Sequence, residues 1–149
     1  TQGVSSAASD VYKRQELPRR IANRVGLRVK AVFDTNILID YLNGIDAARE
    51  ELARYRVRLI SIITFIEVLV GAKEAGEEKA IRGFLAAFQI IELSAEIAKE
   101  AIAIRKELRL KIPDAIVYAT ARSQGCLLVS RNTKEFKSEW PDIRVPYIF

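Results

Sequence analysis

From residue 30 onward, short apolar runs alternate with longer amphipathic segments, and this alternation restricts the possible folds more than any other feature of the chain. The apolar runs have the length of strands and cover 30–34, 57–61, 89–94 and 126–130. Between them, apolar residues recur at helical spacing. Strands that alternate with helices form parallel sheets, because each helix returns the chain to the end of the sheet where the next strand starts. The pattern therefore predicts a doubly wound α/β fold with a mainly parallel central sheet.

The segments between the strands predict helices of ordinary length. These are "ILIDYL" (37–42), which ends near Asn43-Gly44, "AAREELARY" (47–55), "TFIEVLVGAKEA" (64–75), "EEKAIRGFLAAF" (77–88), a long helix over 95–109, and "PDAIVYATARSQG" (113–125). The last of these starts with proline and stops at Gly125, as helices commonly do. After the fourth strand, "NTKEF" (132–136) is a turn or a short helix. The run "IRVPYI" (143–148) predicts a terminal strand, which Pro146 restricts to the sheet edge.

The amino-terminal segment differs from the rest of the chain in composition. Residues 1–29 begin small and polar and continue basic, with little helical periodicity, so we expect a disordered leader. Its stretch "GVSSAASDVYKRQ" (3–15) resembles translated adaptor sequence, so we expect that part not to be native protein. Residues 30–149 then form one domain. We expect a cytoplasmic protein without membrane association, because no apolar run approaches the roughly 20 residues of a spanning helix and no secretion signal is visible.

Composition limits the chemistry that the chain can perform. Histidine is absent, which excludes Ser-His-Asp and Cys-His catalysis and histidine-ligated zinc. The single cysteine, Cys126, lies in an apolar run and predicts a small core residue. The net charge of +5 is weak support for a nucleic-acid partner, because residues 31–149 hold equal numbers of cations and acids. Basic residues still cluster in "ARYRVR" (53–58) and "RKELRLK" (105–111).

Three acidic residues occupy related positions in the predicted fold. Asp34 closes strand one, Glu67 lies in the first helical turn after strand two, and Asp114 lies in the first turn of the helix before strand four. The carboxyl ends of parallel strands face one rim, where ligands bind in open α/β folds. Asp34 and Glu67 should share this rim, and the pattern alone leaves the arrival of Asp114 open. The segment after strand four adds further candidates, which are Ser130, Asn132 and Glu135.

Each of the three acids also has a purely structural interpretation. Asp34 could cap the following helix, Thr64 and Glu67 match a capping box, and an acid at 114 interacts favourably with a helix dipole. Several carboxylates on one rim, however, repel one another unless a cation neutralises them. An all-oxygen site suits Mg²⁺ or Mn²⁺, which leave coordination positions for water and phosphate oxygens. The convergence therefore favours a metal site with phosphodiester chemistry.

At this point four blocks become recognisable in the chain. "VFDTNILIDYL", "ISIITFIEVLVGA", "KIPDAIVYATAR" and "LLVSRNTKEF" resemble, in order and approximate spacing, the blocks of the PIN-domain family, in particular its VapC-type ribonuclease toxins of toxin-antitoxin pairs. The resemblance implies an α/β/α sandwich and an endoribonuclease that depends on Mg²⁺ or Mn²⁺, in which a metal-bound water attacks an RNA phosphodiester. It also implies a homodimer and a cognate antitoxin protein that blocks the site.

The resemblance also assigns roles to residues. By motif position Asp34, Glu67 and Asp114 are the catalytic, metal-binding acids, and Thr35 and Asn36 support the first of them. Ser130 matches a position that is often threonine in the family. Asn132 stands where many members carry a fourth acid, and it can offer the metal only a neutral oxygen. Glu135, three residues further on, can supply the missing charge.

Two other functions remain open at this stage. The first is a catalytically weak PIN-type module that binds RNA or a protein without cleavage, which Asn132 would favour. The second is a response-regulator-like phosphoacceptor domain, but this class needs an acidic pair after strand one, where the chain has Thr35-Asn36. Asp40 is interpreted as solvated or locally paired, and Tyr118 and Phe84 as core or interface residues. For the alternating arginines of 54–58 we expect solvation rather than phosphate contact.

Overall fold

The computed structural model describes residues 29–149, and the leader predicted for 1–29 lies outside these residues except at its last position. The described part contains one five-stranded sheet in the order β3-β2-β1-β4-β5, in which every pairing is parallel. The strands are β1 (Lys30–Phe33), β2 (Val57–Ser61), β3 (Gln89–Ile91), β4 (Leu127–Val129) and β5 (Ile143–Arg144). The predicted parallel α/β architecture is confirmed, and β5 lies at the edge of the sheet as expected.

Six helices connect the strands of the described region. They are α1 (Thr35–Leu42), α2 (Asp46–Ala53), α3 (Ile62–Val70), α4 (Ala75–Leu85), α5 (Ala95–Leu108) and α6 (Ile112–Ser123). The predicted helices are all present, with ends displaced by a few residues. The predicted terminal strand is shorter than expected, because only Ile143 and Arg144 pair with β4. None of the helices is long and apolar enough to cross a membrane.

The alternation of side chains along the central strand divides the core into two layers. On β1, Ala31 and Phe33 belong to the cluster under α1 to α4, whereas Val32 belongs to the cluster under α5 and α6. These three side chains are fully buried, and each large one contributes about 1.5–3 kcal/mol of burial free energy. Helices therefore cover both faces of the sheet, which makes the expected α/β/α sandwich. Cys126 is buried in the second cluster and is a core residue, as predicted.

The start of α3 corrects one detail of the sequence analysis. Ser61 caps this helix, because its hydroxyl accepts a hydrogen bond from the Ile63 backbone amide at 3.0 Å. The helix therefore begins at Ile62, and Thr64 lies inside the first turn rather than at the cap. The capping-box interpretation of Thr64 and Glu67 is wrong for this reason. Glu67 also lies in the second turn rather than the first.

Candidate active site

Asp34 lies where the central strand ends and α1 begins. Its backbone amide continues the sheet by donating to the Val129 carbonyl at 2.9 Å, and its side chain caps α1 by accepting from the Thr35 amide at 2.8 Å. The carboxylate is only 5% exposed, and burial raises the pKa of Asp34. Asp34 is therefore both the helix cap that its position suggested and a buried acid at the rim of the sheet.

Polar side chains from two elements hold the Asp34 carboxylate in one orientation. The Ser130 hydroxyl donates to its Oδ2 at 2.7 Å, and the Asn36 side-chain amide donates to the same oxygen at 3.0 Å. The oxygen of the Asn36 amide accepts from the Arg131 backbone amide at 3.0 Å. The Ser130 hydroxyl also accepts from the Asn132 backbone amide at 3.0 Å. The segment after β4 is thereby fixed to the first turn of α1.

Glu67 joins the site through Thr35. The Thr35 hydroxyl contacts Glu67 Oε1 at 2.5 Å and the buried Thr64 hydroxyl at 3.2 Å. Thr35 therefore links the first turn of α1 to α3 and orients the Glu67 carboxylate. The negative charge of Glu67 also contributes to raising the pKa of Asp34, so the two carboxylates are close enough to repel each other.

Asp114, on α6, lies close to the same two acids. The sequence pattern alone does not decide whether it shares their rim. Partial burial, followed by the charges of Asp34, Glu135 and Glu67, raises the pKa of Asp114 to about 6. The cation of Lys111 opposes this shift only in part. Four acids therefore act on one another, and no ion pair neutralises any of them among the described residues. We name Asp34, Glu67, Asp114 and Glu135 the carboxylate cluster.

The position where the family resemblance expects a fourth acid lies in the segment after β4, which contains Asn132 and Glu135. We name this position the fourth corner of the site. The Asn132 carbonyl accepts backbone hydrogen bonds from Glu135 at 3.3 Å and Phe136 at 3.0 Å, so the segment turns once after β4. This turn brings Glu135 towards α6, where its Oε1 accepts from the Lys111 backbone amide at 3.5 Å. Glu135 also raises the pKa of Asp114. An acid is thus present at this corner, three residues after the position where the family resemblance expects it.

The carboxylate cluster has the oxygen ligands that a divalent cation requires, but these oxygens do not surround one common point in the structure. Among residues 29–149, no three Asp, Glu, His or Cys side chains are gathered closely enough to form a complete set of metal ligands. Mg²⁺ usually takes only one or two carboxylates directly and keeps several waters, so a preformed set of three is not required. The uncompensated charge and the all-oxygen donor set fit Mg²⁺ or Mn²⁺.

One buried acid beside the site was misjudged from the sequence. Asp40 is only 4% exposed, and its carboxylate accepts two hydrogen bonds from the Arg131 guanidinium, both at 2.7 Å. The Tyr147 hydroxyl donates to the same carboxylate at 2.8 Å. Asp40 is therefore neither solvated nor locally paired, because its partners lie 91 and 107 residues away. No periodicity in the sequence marks such a contact.

Other residues singled out in the sequence lie away from the cluster. Tyr118 is in the core, where it stacks on Trp140, and Phe84 stacks on Tyr41 with ring centroids 4.7 Å apart. Arg58 is partly buried and donates to the Leu52 carbonyl at 2.7 Å. Arg58 lies near the start of β2, whereas Ser61, at the other end of this strand, leads towards the site. These observations agree with the structural interpretations of Tyr118 and Phe84.

Comparison with protein families and characterised proteins gives a consistent result. The model of the PIN domain matches residues 31–138. The chain is 30% identical to the tRNA(fMet)-specific endonuclease VapC of Shigella flexneri over 120 residues, which cover 73% of this chain and 91% of that protein. It is also 30% identical to ribonuclease VapC1 of Methanocaldococcus jannaschii over 113 residues, which cover 72% of this chain and 79% of that one.

A solved structure shares the fold as well as much of the sequence. A chain of a toxin-antitoxin complex from Klebsiella pneumoniae superposes with a TM-score of 0.76 at 43% sequence identity. The superposition covers 80% of this chain and 99% of that chain. The likeness therefore includes nearly the whole of that chain.

Proposed function

Because the chain belongs to the PIN domain family, and within it to the VapC-type proteins, we propose that it is a metal-dependent endoribonuclease that acts as the toxin of a toxin-antitoxin pair. The carboxylate cluster is the observation that carries the proposal. An enzyme without histidine must move protons with carboxylates, lysine, tyrosine or water polarised by a metal, and the residues gathered at this site are carboxylates. Four acids at the carboxyl rim of a parallel sheet, without a neutralising ion pair among the described residues, supply this chemistry.

The residues of the candidate site have two kinds of role, which are metal binding and the positioning of the metal-binding acids. Asp34 and Asp114 are the acids that would hold Mg²⁺ or Mn²⁺, and Glu67 adds a third carboxylate oriented by Thr35. Ser130 and Asn36 keep Asp34 in one rotamer by donating to the same oxygen. When bound, the metal would polarise the scissile phosphate and lower the pKa of an attacking water. The hydrogen bonds from Ser130, Asn36 and Thr35 hold the Asp34 carboxylate in place before a cation binds.

The fourth corner decides how many cations the site holds before substrate arrives. Asn132 can offer a neutral side-chain oxygen, whereas Glu135 contributes charge that acts on Asp114. We expect one well-occupied cation and a second that requires substrate phosphate. Calorimetric titration with Mn²⁺ in the absence of RNA should give one site for the wild type and a stronger second site for Asn132→Asp. Two tight sites in the wild type would contradict this stoichiometry.

Cleavage of RNA by purified protein tests the proposal directly. The wild type should cleave single-stranded RNA with Mg²⁺ or Mn²⁺, and EDTA should abolish the activity. Asp34→Asn and Asp114→Asn should each reduce the rate by at least 100-fold, the order expected when a group that organises the reaction is removed. Circular dichroism should report an unchanged fold for both.

Glu50→Gln provides the matched control for these variants. Glu50 is an exposed acid on α2, so the variant removes the same charge from outside the carboxylate cluster and should cleave at the wild-type rate. Cleavage by Asp114→Asn at the wild-type rate would refute the site. Metal-dependent RNA binding without cleavage would instead favour the catalytically weak module. The presence of Glu135 at the fourth corner argues against that alternative.

The partners follow from the same proposal. We propose a cognate antitoxin protein that blocks the carboxylate cluster, a homodimer as the functional unit, and a cytoplasmic location where RNA is accessible. The Klebsiella pneumoniae chain with the same fold was solved in a toxin-antitoxin complex, which supports the first of these. A small gene next to that of this chain, encoding a protein that co-purifies with it and inhibits cleavage, would identify the antitoxin.

A further inference from the structure

We propose that the surface formed by Arg105, Lys106, Arg109 and Lys111 binds the backbone phosphates of RNA next to the phosphate that is cleaved. We name it the 105–111 surface. All four side chains are exposed, and Glu107 is the single acid in the segment. The inference rests on the proposed ribonuclease activity, because that activity makes RNA the ligand. It adds a binding site that is distinct from the carboxylate cluster.

The arginines of this surface differ from most arginines in the described structure. Within residues 29–149, the arginines that form ion pairs with acids are Arg49, Arg54, Arg82, Arg122, Arg131 and Arg144. Arg58 donates to a backbone carbonyl. Arg105 and Arg109 have neither an ion pair nor a side-chain hydrogen bond in this part of the chain, and Arg56 is the other such arginine. Two guanidinium groups are therefore available to a ligand at one place on the surface.

The position of the surface connects it to the carboxylate cluster. The segment joins the end of α5 to the start of α6, and Asp114 lies only three residues after Lys111. The Lys111 amide donates to Glu135 at 3.5 Å, and the Lys111 charge lowers the pKa of Asp114. A polyanion whose reacting phosphate lies at the carboxylate cluster would therefore pass beside these cations.

The backbone of Arg109 gives a second, independent reason for a functional role. Arg109 ends α5 in the left-handed conformation, with φ of 62°, and its amide donates to the Arg105 carbonyl at 3.0 Å. It is the only residue other than glycine with positive φ in the described part of the chain. Glycine would close this helix with less strain. The helix end alone therefore does not favour an arginine at this position, which agrees with a role for its side chain in binding a ligand.

Electrostatics explains why an RNA substrate needs such a surface. The carboxylate cluster repels the phosphates on both sides of the cleaved bond, because a cation in the site can offset only part of the charge. Exposed arginine and lysine side chains bind phosphate oxygens and release the counterions condensed on the nucleic acid. Contacts of this kind position the strand without reading its sequence. The 105–111 surface would thus hold the flanking strand while the cluster acts on one phosphodiester.

Salt-dependent binding separates this role from catalysis. Binding of a short fluorescent single-stranded RNA of mixed sequence should be followed by anisotropy over a series of KCl concentrations, with EDTA present so that no cleavage occurs. For Arg109→Gly we expect weaker binding and a slope of log Kd against log salt that is smaller by about 0.7. Its thermal midpoint should equal or exceed that of the wild type, because glycine relieves the left-handed strain. Loss of binding therefore cannot be attributed to misfolding.

A combined variant and a matched control complete the design. Arg105→Gln, Arg109→Gly and Lys111→Gln together should reduce the slope by about 2, since three phosphate contacts are lost. Arg56→Gln removes an exposed arginine that also lacks a partner in residues 29–149, but it lies before β2, at the strand end opposite to Ser61. It should bind RNA like the wild type.

The outcomes distinguish the inference from the proposed function. A wild-type slope in the combined variant would overturn the inference, even if the protein cleaves RNA. A reduced slope in a protein that never cleaves RNA would support the inference and refute the proposed activity. Single-stranded DNA should show the same reduction, because phosphate is common to both, and an effect on RNA alone would contradict phosphate binding. Loss of binding to poly-glutamate with unchanged RNA binding would assign the surface to an acidic protein partner and overturn the inference.

Discussion

At the scale of single residues, Asp114 has the most informative titration in the carboxylate cluster. Its pKa is raised from 3.8 to about 6 by partial burial and by the neighbouring charges of Asp34, Glu135 and Glu67. In the unfolded chain the same group keeps its ordinary pKa. The folded protein therefore binds a proton more tightly than the unfolded one, and the stability that this proton confers is lost as the pH rises from about 4 to about 6.

Asp114→Asn should for this reason stabilise the metal-free protein. At pH 7.5 we expect its free energy of unfolding to exceed that of the wild type by about 1–2 kcal/mol, a value reduced from the full shift because the side chain is only partly buried. At pH 4.5 the difference should fall to about a third of this value, because Asp114 is then protonated in the folded wild type but still largely ionised in the unfolded chain. Urea unfolding in EDTA at the two pH values measures both quantities.

A control variant shows whether the effect of Asp114→Asn comes from charge repulsion within the carboxylate cluster or from an ordinary change in packing. Glu50→Gln removes an exposed acid outside the cluster and should change the stability by less than about 0.5 kcal/mol at either pH. A decrease in stability of Asp114→Asn at pH 7.5 would mean that the carboxylate makes a favourable contact in the absence of metal. Such a result would contradict the description of the cluster as uncompensated.

At the scale of secondary-structure elements, the contact of α1 with the segment after β4 is the most specific. Asn36 binds the backbone of this segment, and one turn further along α1 Asp40 binds the Arg131 guanidinium. Tyr147 adds a third attachment from beyond β5. These contacts set the position of Ser130, which in turn orients Asp34. The element contact therefore determines the geometry of the site without contributing a group to the chemistry.

Asp40→Asn should weaken this contact measurably. The substitution keeps the shape of the side chain but removes the charge that faces a partly buried guanidinium, so we expect a loss of about 2–3 kcal/mol in the free energy of unfolding. The matched control is Asp46→Asn, because Asp46 also pairs with an arginine but its side chain is 75% exposed. That variant should cost less than about 0.5 kcal/mol.

A double-mutant cycle tests whether the Asp40 and Arg131 side chains act as a pair. Combining Asp40→Asn with Arg131→Gln should destabilise the protein by clearly less than the sum of the two single changes. Additive losses would show that the bidentate contact contributes nothing specific. Urea unfolding of the three variants at one pH is sufficient for the comparison.

The order of elements was predictable from the sequence because each element carries its own local signal. Strand β2 was located at 57–61 without error, since an apolar run between charged segments has few alternatives. The start of α3 was misplaced, because Ser61 closes the strand and also caps the helix, whereas Thr64 formed a more familiar motif with Glu67. Asp34 was placed at the rim because strand and helix boundaries are local features.

The remaining details of the site depend on contacts between distant parts of the chain. Helix α6 does not follow a strand directly, so only the packed fold shows that Asp114 meets Asp34. The pairing of Asp40 with Arg131 spans 91 residues, and a charged residue on a helix is solvated more often than it is buried. A pattern within a few residues cannot predict either contact, because both follow from the packing of elements on the sheet.

At the scale of the whole molecule, exposed apolar side chains on α3 suggest where two copies meet. Val70 is 77% exposed and Ile66 is 49% exposed, and both lie on α3. A hydrophobic composition of 50% agrees with the burial of further surface in an oligomer. We therefore expect a homodimer at tens of micromolar, which light scattering can measure.

Val70→Asp should convert this dimer to a monomer, because a charge placed in an apolar interface loses its hydration on association. Ile102→Asp is the matched control, since Ile102 is 57% exposed but lies on α5. It should remain dimeric. A wild-type monomer at this concentration, or a dimer that persists in Val70→Asp, would contradict the proposed interface.

The hydrogen bond between Ser130 and Asp34 joins residues that are 96 positions apart in the chain. Ribosomes add about 5–20 residues per second, so Asp34 is synthesised about 5–20 s before Ser130. During most of this interval β1 lacks its neighbour β4 and Asp114 has not yet been added, and Glu135 follows Ser130 in the chain. The arrangement of acids therefore forms only after the segment that follows β4 has been translated. A nascent chain that lacks this segment would lack the arrangement of acids on which the proposed nuclease activity depends, and it would therefore be harmless to the messenger that encodes it.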